Sequence, residues 1–472
     1  MLSSNALKYT IDHLLRVALP TTVPFEYSLE VAEDALSIRL LAEKRIRIAL
    51  FREEDTAHFR QGNSQPTWLP SADGKIKVPL FHPTAFAGKT VEGSATRDGL
   101  NIPYDIVTPS FMMLSREEEY HELPRDQHNR FLYNYSLARR YEFIEMPLVD
   151  EYALLLRTWI LEFLRPDLQL KPRHTQVVPT HDIDLLYRFS SPWQAFKSIF
   201  GRDLLLNHSL TLAQQSQTEY RRCKDNPEQD PYILAINELA QLAQKHQQNA
   251  IFFFKAQSLG EADCTYDISD PNVARCLQVV RDHGLQFGIH GSYDSYNNPN
   301  RFHQELQRLS QIAGEDIRLG RQHYLRFCQQ RDLHIYCKNS IGLTLLDGNQ
   351  ELMNHHNTLQ VWQMNGIQHD YTLGYAEQPG FRCGTCHPYP LYDLDNDSPT
   401  DIIEHPLIVM DGSLLEYMKL STQESVSLIR RLQDRCEANE GDFVILWHNH
   451  LLSRNYRKHF EEIYLKTLYS NL

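Results

Sequence analysis

The stretch VVPTHDIDLLYRF, residues 177 to 189, places Asp182 and Asp184 one residue apart behind a histidine, at the end of a short apolar run. In an extended segment such i, i+2 side chains share a face, about 6.5 to 7 Å apart. Two carboxylates that close repel one another unless a cation or a proton separates their roles. The pair therefore suggests one oxygen ligand for a divalent metal and one general base beside it. A bare D-x-D also serves as an Asx turn that caps the next helix. Histidines at the ends of other apolar runs weigh for chemistry.

His290, in FGIHGSYDSY, leaves an apolar run into a Gly/Ser/Tyr/Asn loop, and Asp294 follows four residues later. With Asp184, His290 makes a histidine/carboxylate metal pair. Zinc is the first expectation, because imidazole plus carboxylate with an open position suits a Lewis acid. The third ligand is either Asp294 or His323 of GRQHYLRF. His448, in DFVILWHNH, ends a further apolar run, with His450 two residues on; Asp370 and Tyr371 stand in IQHDYTLGY. Asp370, Tyr371 and Trp447 are the expected substrate-pocket residues, although strand anchoring accounts for Asp370 and Tyr371 equally well. For Trp447, as for Trp362, a place in the buried core is a commoner role than stacking on a sugar ring.

These groups need strand ends to converge. After residue 170, short apolar runs alternate with amphipathic segments, the pattern of βα units around a parallel sheet. Seven runs read as strands: TQVVPT, NAIFFFKA, LQFGIH, DLHIYC, GIQHDYT, PLIVMD and DFVILWH. The helices between them open at Asp-Pro or Ser/Thr starts, and several close at Gly. Titratable residues fall at the carboxyl ends of separate strands, where α/β barrels and open α/β sheets build their sites. Residues 1–170 mix strand-like pieces (RIRIALF, KIKVPLF) with a strong helical pattern in VDEYALLLRTWILEFLRPDL, which Pro166 stops. The division expected is a smaller α+β domain over 1–170 and a barrel over 171–472.

The 472 residues carry 47 basic and 60 acidic side chains, a formal charge of −13 that opposes non-specific binding to nucleic acid or to anionic lipid surfaces. No apolar run reaches the roughly 18 residues of a membrane span, and Lys8, Asp12, His13 and Arg16 interrupt the first twenty, so neither a transmembrane segment nor a signal peptide is expected. Eight dilute cysteines fit reduced thiols in a cytoplasm. The CGTCH stretch, Cys383 to His387, matches a haem-attachment pattern, but the export signal such chemistry needs is missing and no second C-x-x-C completes a zinc site. Buried thiols beneath the site are the expectation.

The order of THDID, GIHGSYDS, GRQHYLRF and VILWHNH resembles the motif layout of the NodB-homology polysaccharide deacetylases, whose first motif has a D-x-D variant. The resemblance covers roughly residues 170 to 455. DIVTPSFMMLSREEEY, RDQHNRFLYNYSLARRYEFIEMPLVDEYALLL and DYTLGYAEQPGFRCGTCHPYPLYDL also resemble a bacterial subgroup of that family with a dedicated leading domain. The resemblance implies a distorted (β/α)7-type barrel that removes an N-acetyl group from a sugar of a polysaccharide or its precursor. It implies Asp182 as general base, Asp184 and His290 as metal ligands, His448 as the acid that protonates the leaving amine, and Arg321 as the residue orienting Asp182. One position departs: the family's second motif is H-x-x-x-H, and Asp294 stands where its second histidine would. A carbohydrate-binding descendant without turnover is the alternative expectation.

Overall fold

The computed structural model describes residues 2–21, 26–32, 34–40, 44–84, 99–120, 123–171, 173–206, 208–257, 263, 266–328 and 356–469. The expected strand DLHIYC lies outside them, as do Cys264 and Cys337.

The first 170 residues hold a four-stranded sheet and a separate hairpin. β1 (Tyr27–Val31), β2 (Ala35–Leu40) and β3 (Lys44–Ala49) pair antiparallel, β6 (Gly99–Ile102) joins β3 in parallel, and β4 (Pro66–Pro70) pairs with β5 (Lys77–Phe81). The helix expected before Pro166 spans Leu148–Phe163 and buries most of its length. It packs on the opening helix Ser4–Ala18.

The remainder is a mixed α/β unit around one curled nine-stranded sheet, a half-barrel rather than a closed ring of seven. Its strands are β7 (Val177–Ile183), β8 (Ile251–Phe254), β9 (Gln286–Gly291), β10 (Leu319–Gln322), β11 (His369–Asp370), β12 (Tyr389–Asp393), β13 (Ser398–Glu404), β14 (Leu407–Met410) and β15 (Phe443–Leu446). They run in the order β12-β13-β11-β10-β9-β8-β7-β15-β14, parallel throughout except for the β12–β13 pair. β10, β12 and β13 were not among the expected strands. LGRQ carries too little apolar character to read as one, and β12 and β13 form an edge hairpin with half-exposed positions.

Sequence chemistry explains the elements that hold the site. All four residues of β8, IFFF, are buried, as befits a parallel strand covered on both faces. Helices Pro231–Lys245 and Pro271–Asp282 begin with Pro behind capping Asp230 and Asp270, and Pro299–Ala313 ends at left-handed Gly314 (φ 72°). Gly291 closes β9 next to His290; a Cβ there would lie 2.3 Å from Gln322 Oε1, so a larger residue would have to displace the buried Gln322 amide beside the site.

One hydrophobic cluster runs without a break from the opening helix into the large sheet. Polar bonds cross the same seam. Arg382 grips Glu119 through two bonds of 2.9 and 2.7 Å, with side chains only 2% and 3% exposed. Removing one partner of such a pair leaves the other charge buried and alone. Arg382→Met therefore lowers the unfolding free energy by about 3–5 kcal/mol in a urea titration, and the double variant with Glu119→Leu recovers much of it.

Candidate metal and acid–base site

β7 ends at Ile183, so Asp182 is its penultimate residue and Asp184 the first residue of the loop. His290 and Arg321 are register partners on the adjacent strands β9 and β10. His323 opens the turn after β10, and His448 follows β15. The four strand ends surround a cleft of about 290 Å³, lined among others by Asp182, Asp184, His290, His323, Asp411 and His448. His181, one residue before Asp182 in the alternation, points to the opposite face. It is fully buried, packs on Phe252 at 4.8 Å and pairs through Nδ1 with the Trp447 carbonyl.

His290 Nδ1 lies 3.0 Å from the Arg321 carbonyl, which makes it the protonated nitrogen and leaves Nε2 as a lone-pair donor. That Nε2 stands 3.3 Å from Asp184 and 3.5 Å from Asp182. His323 Nε2 is 3.5 Å from the same Asp184 oxygen, while its Nδ1 faces Asp263 at 3.2 Å. One ligand atom from each of Asp184, His290 and His323 falls within 4.8 Å of the others. His290 Nε2 and Asp184 Oδ1 are buried with no hydrogen-bond partner. These two orphaned atoms, a carboxylate oxygen and an imidazole nitrogen, with the His323 imidazole converging beside them, fit a divalent cation such as zinc.

The acid–base groups flank this cluster. Arg321, fully buried, donates from one nitrogen to Asp182 and to Thr180 Oγ1, both at 2.9 Å, and from Nε to the Tyr371 carbonyl at 2.9 Å. Burial works against the charge on Asp182, but Arg321, with His290 and His448, holds its carboxyl below the usual range. For Asp184 burial is again outweighed, here by Lys255 and His323, and its carboxyl lies far below the ordinary value. His448 Nδ1 faces Asp411 at 2.8 Å and its Nε2 faces Asp184 at 3.5 Å. Burial alone would lower its pKa; Asp411 and Asp184 raise it well above the ordinary histidine value. Asp182 is thus ionised and His448 protonated near neutrality.

Four expected positions lie elsewhere. Asp294 does not join the cluster: its side chain is 59% exposed and pairs with Arg301 at 3.2 Å, because the loop after β9 turns it outward. Tyr371 is core, its ring stacked on His405 at 4.4 Å, and Asp370 is buried, accepting the Thr372 N–H at 3.0 Å. Trp447 is fully buried against Tyr464 at 5.2 Å; with His448 facing the cleft, its neighbour must face away. Trp362 is likewise buried, against Phe302.

Other groups at the site were not expected. Lys255, directly after IFFF, is fully buried, with Nζ 3.4 Å from both Asp184 and Asp263 and 2.9 Å from His323 Nε2. Asp411, directly after LIVM, carries the bond to His448. Both follow strands just as Asp184 does, and the same signal would have found them; Asp263 sits in a loop with no such signal. The leading segment also reaches the site. Arg130 donates to the Tyr324 carbonyl at 3.0 Å, and Arg326 donates to the His128 carbonyl at 2.9 Å. Between those bonds Tyr324 and Leu325 hold left-handed angles (φ 59° and 55°), a tight turn that presents His323 to the cleft.

A second group of ligand types, Asp150, Cys386 and His387, sits beneath CGTCH. Its atoms are already engaged. Asp150 accepts from Thr385 Oγ1 (2.6 Å) and the Cys386 N–H (2.8 Å), and His387 lies 2.8 Å from the Asn439 carbonyl and 2.6 Å from Arg173. Burial and the adjacent Arg173 guanidinium push the His387 pKa down to about 3. This is a hydrogen-bonded knot that fastens the leading helices to the sheet. Cys223, Cys276, Cys383, Cys386 and Cys436 are buried free thiols.

Residues 2–165 match the model of DUF7033, a family of unknown function. No curated protein matches the chain. Among solved structures, a Mycobacterium smegmatis protein provisionally named a polysaccharide deacetylase aligns at 13% identity and a TM-score of 0.35, over 64% of this chain and 88% of that one. A mutant of BA3943, a CE4-family pseudoenzyme with restored enzymatic activity, aligns at 9% identity and a TM-score of 0.27, over 64% of this chain and 65% of that one. Both likenesses are distant.

Proposed function

We propose that the chain is a metal-dependent deacetylase that hydrolyses an N-acetyl group on a sugar of a polysaccharide or its precursor, on a NodB-like half-barrel over residues 171–472 behind a leading domain over 1–170. The observation that carries this reading is the convergence of Asp184, His290 and His323, with an Arg-held carboxylate on one side and a carboxylate-held imidazole on the other. A divalent cation, zinc by the ligand set, would be held by Asp184, His290 and His323 and would supply Lewis-acid polarisation of the acetamide carbonyl and of a water. Asp182 accepts the proton of the attacking water. Arg321 fixes that carboxylate and keeps it ionised. His448, held by Asp411 through Nδ1, gives its Nε2 proton to the leaving amine. The test is acetate release from N-acetylated oligosaccharides by the purified full-length chain, lost on chelation and restored by zinc. Zinc-loaded protein that releases none refutes the reading.

Because His448 acts in its protonated form, activity falls as pH rises through its pKa. Asp411→Asn removes the main group raising that pKa, so the alkaline limb of kcat/KM moves to lower pH. A pH–rate profile of the two proteins measures the shift.

One observation favours the alternative, a carbohydrate-binding protein without turnover. The Lys255 ammonium already lies between Asp184, Asp263 and His323, so the chain supplies a cation of its own. That reading predicts glycan binding by metal-free protein, with no metal uptake.

A further inference from the structure

The segment that follows Asp184 carries the largest apolar face left uncovered among the described residues. A helical stretch, Pro192–Phe196 continued by Lys197–Leu206, turns Ala195, Ile199 and Asp203 inward. Asp203 is bound there by Ser216 at 2.5 Å and lies 4.0 Å from Arg188, so the helix is anchored and its inner face is used. Its outer face is a ridge of Trp193 (62% exposed), Phe196 (50%), Phe200 (45%), Leu205 (69%) and Leu206 (77%), continued by Leu210 (70%) at the start of the next helix. Trp193 stacks on Phe196 at 5.6 Å and Phe200 lies tilted against Phe196 at 4.8 Å, which presents a continuous apolar strip. Contiguous apolar patches of this kind mark sites of contact with another phase or molecule.

The charge around the ridge selects the occupant. Between Ser190 and Gln217 the one acidic residue is Asp203, which is buried and pairs with the partly exposed Arg202 at 3.1 Å, while Lys197 flanks the strip and lies over the Trp193 ring at 5.3 Å. A chain with 60 acidic residues in 472 has here a stretch whose exposed charges are basic. Trp, Phe and Leu on one convex face with Lys and Arg at its margins is the pattern of a helix lying in a lipid interface. A second copy of the chain would set like charges against like across a symmetric contact, whereas anionic headgroups complement them. We infer that the ridge from Trp193 to Leu206, with Leu210, docks the protein on an anionic lipid surface. The inference is independent of the hydrolase reading. The segment leaves the same end of β7 that carries Asp182 and Asp184.

The test is co-sedimentation of the full-length protein with vesicles of phosphatidylcholine plus phosphatidylglycerol, and with phosphatidylcholine alone. The wild-type chain pellets with the anionic vesicles, less with the neutral ones, and its tryptophan emission shifts to the blue as Trp193 enters the interface. Substituting Trp193, Phe196 and Phe200 together by Ser lowers the partition coefficient by about tenfold or more. Leu206→Glu alone weakens it at unchanged melting temperature, since that side chain is almost wholly exposed. Wild-type protein that stays in the supernatant overturns the proposal. So does a triple variant that pellets like wild type. A wild-type dimer, abolished by the triple variant and indifferent to vesicles, would assign the ridge to a second copy and overturn it as well.

Discussion

Asp182→Asn lowers turnover by about 10²- to 10⁴-fold and leaves metal uptake intact. The amide still accepts the Arg321 N–H, and Arg321 keeps its bonds to Thr180 and the Tyr371 carbonyl, so the geometry persists. What disappears is the group able to take a proton from water. Single-turnover acetate release, measured beside bound zinc, separates this from a ligand role. A variant that loses zinc with activity would make Asp182 a ligand or a structural anchor, and a variant that keeps its activity would remove it from the chemistry.

Asp184→Ala combined with His290→Ala takes bound zinc from about one ion per chain to none, with activity lost in parallel. His323→Ala weakens binding by at least the 10- to 100-fold typical even of outer ligand-supporting groups, roughly. Asp294→Ala changes nothing, because its carboxylate faces Arg301 at the surface. The contrast between His323 and Asp294 decides which residue supplies the third ligand. Zinc bound per chain, measured after gel filtration, reads out all three.

Much of the site was legible because parallel sheets expose side chains at strand ends, and five apolar runs announced their ends with titratable residues. That rule recovered Asp182, Asp184, His290 and His448, and it would have recovered Lys255 and Asp411 had it been applied after IFFF and LIVM. Alternation within a strand would have placed two more residues: His181 and Trp447 sit one residue from cleft-facing neighbours and face the core, whereas Trp447 was expected in the substrate pocket. It failed at Asp370 and Tyr371, since β11 is two residues long and the chain leaves it in a turn around Thr372. Loop geometry was not readable. Four-residue spacing would have carried Asp294 toward His290 only on a helical turn, and the loop after β9 does not make one there. Nor could the turn at Tyr324 and Leu325, which delivers His323 from a strand too polar to be read as one, be seen without the Arg130 and Arg326 bonds that hold it.

The most direct measurement is the anomalous difference map of a zinc-soaked crystal. The account predicts one strong peak about 2.0–2.2 Å from an Asp184 oxygen and the Nε2 atoms of His290 and His323, with the Lys255 ammonium displaced from His323. A map without a peak there, the ammonium still seated between Asp184 and Asp263, would contradict it.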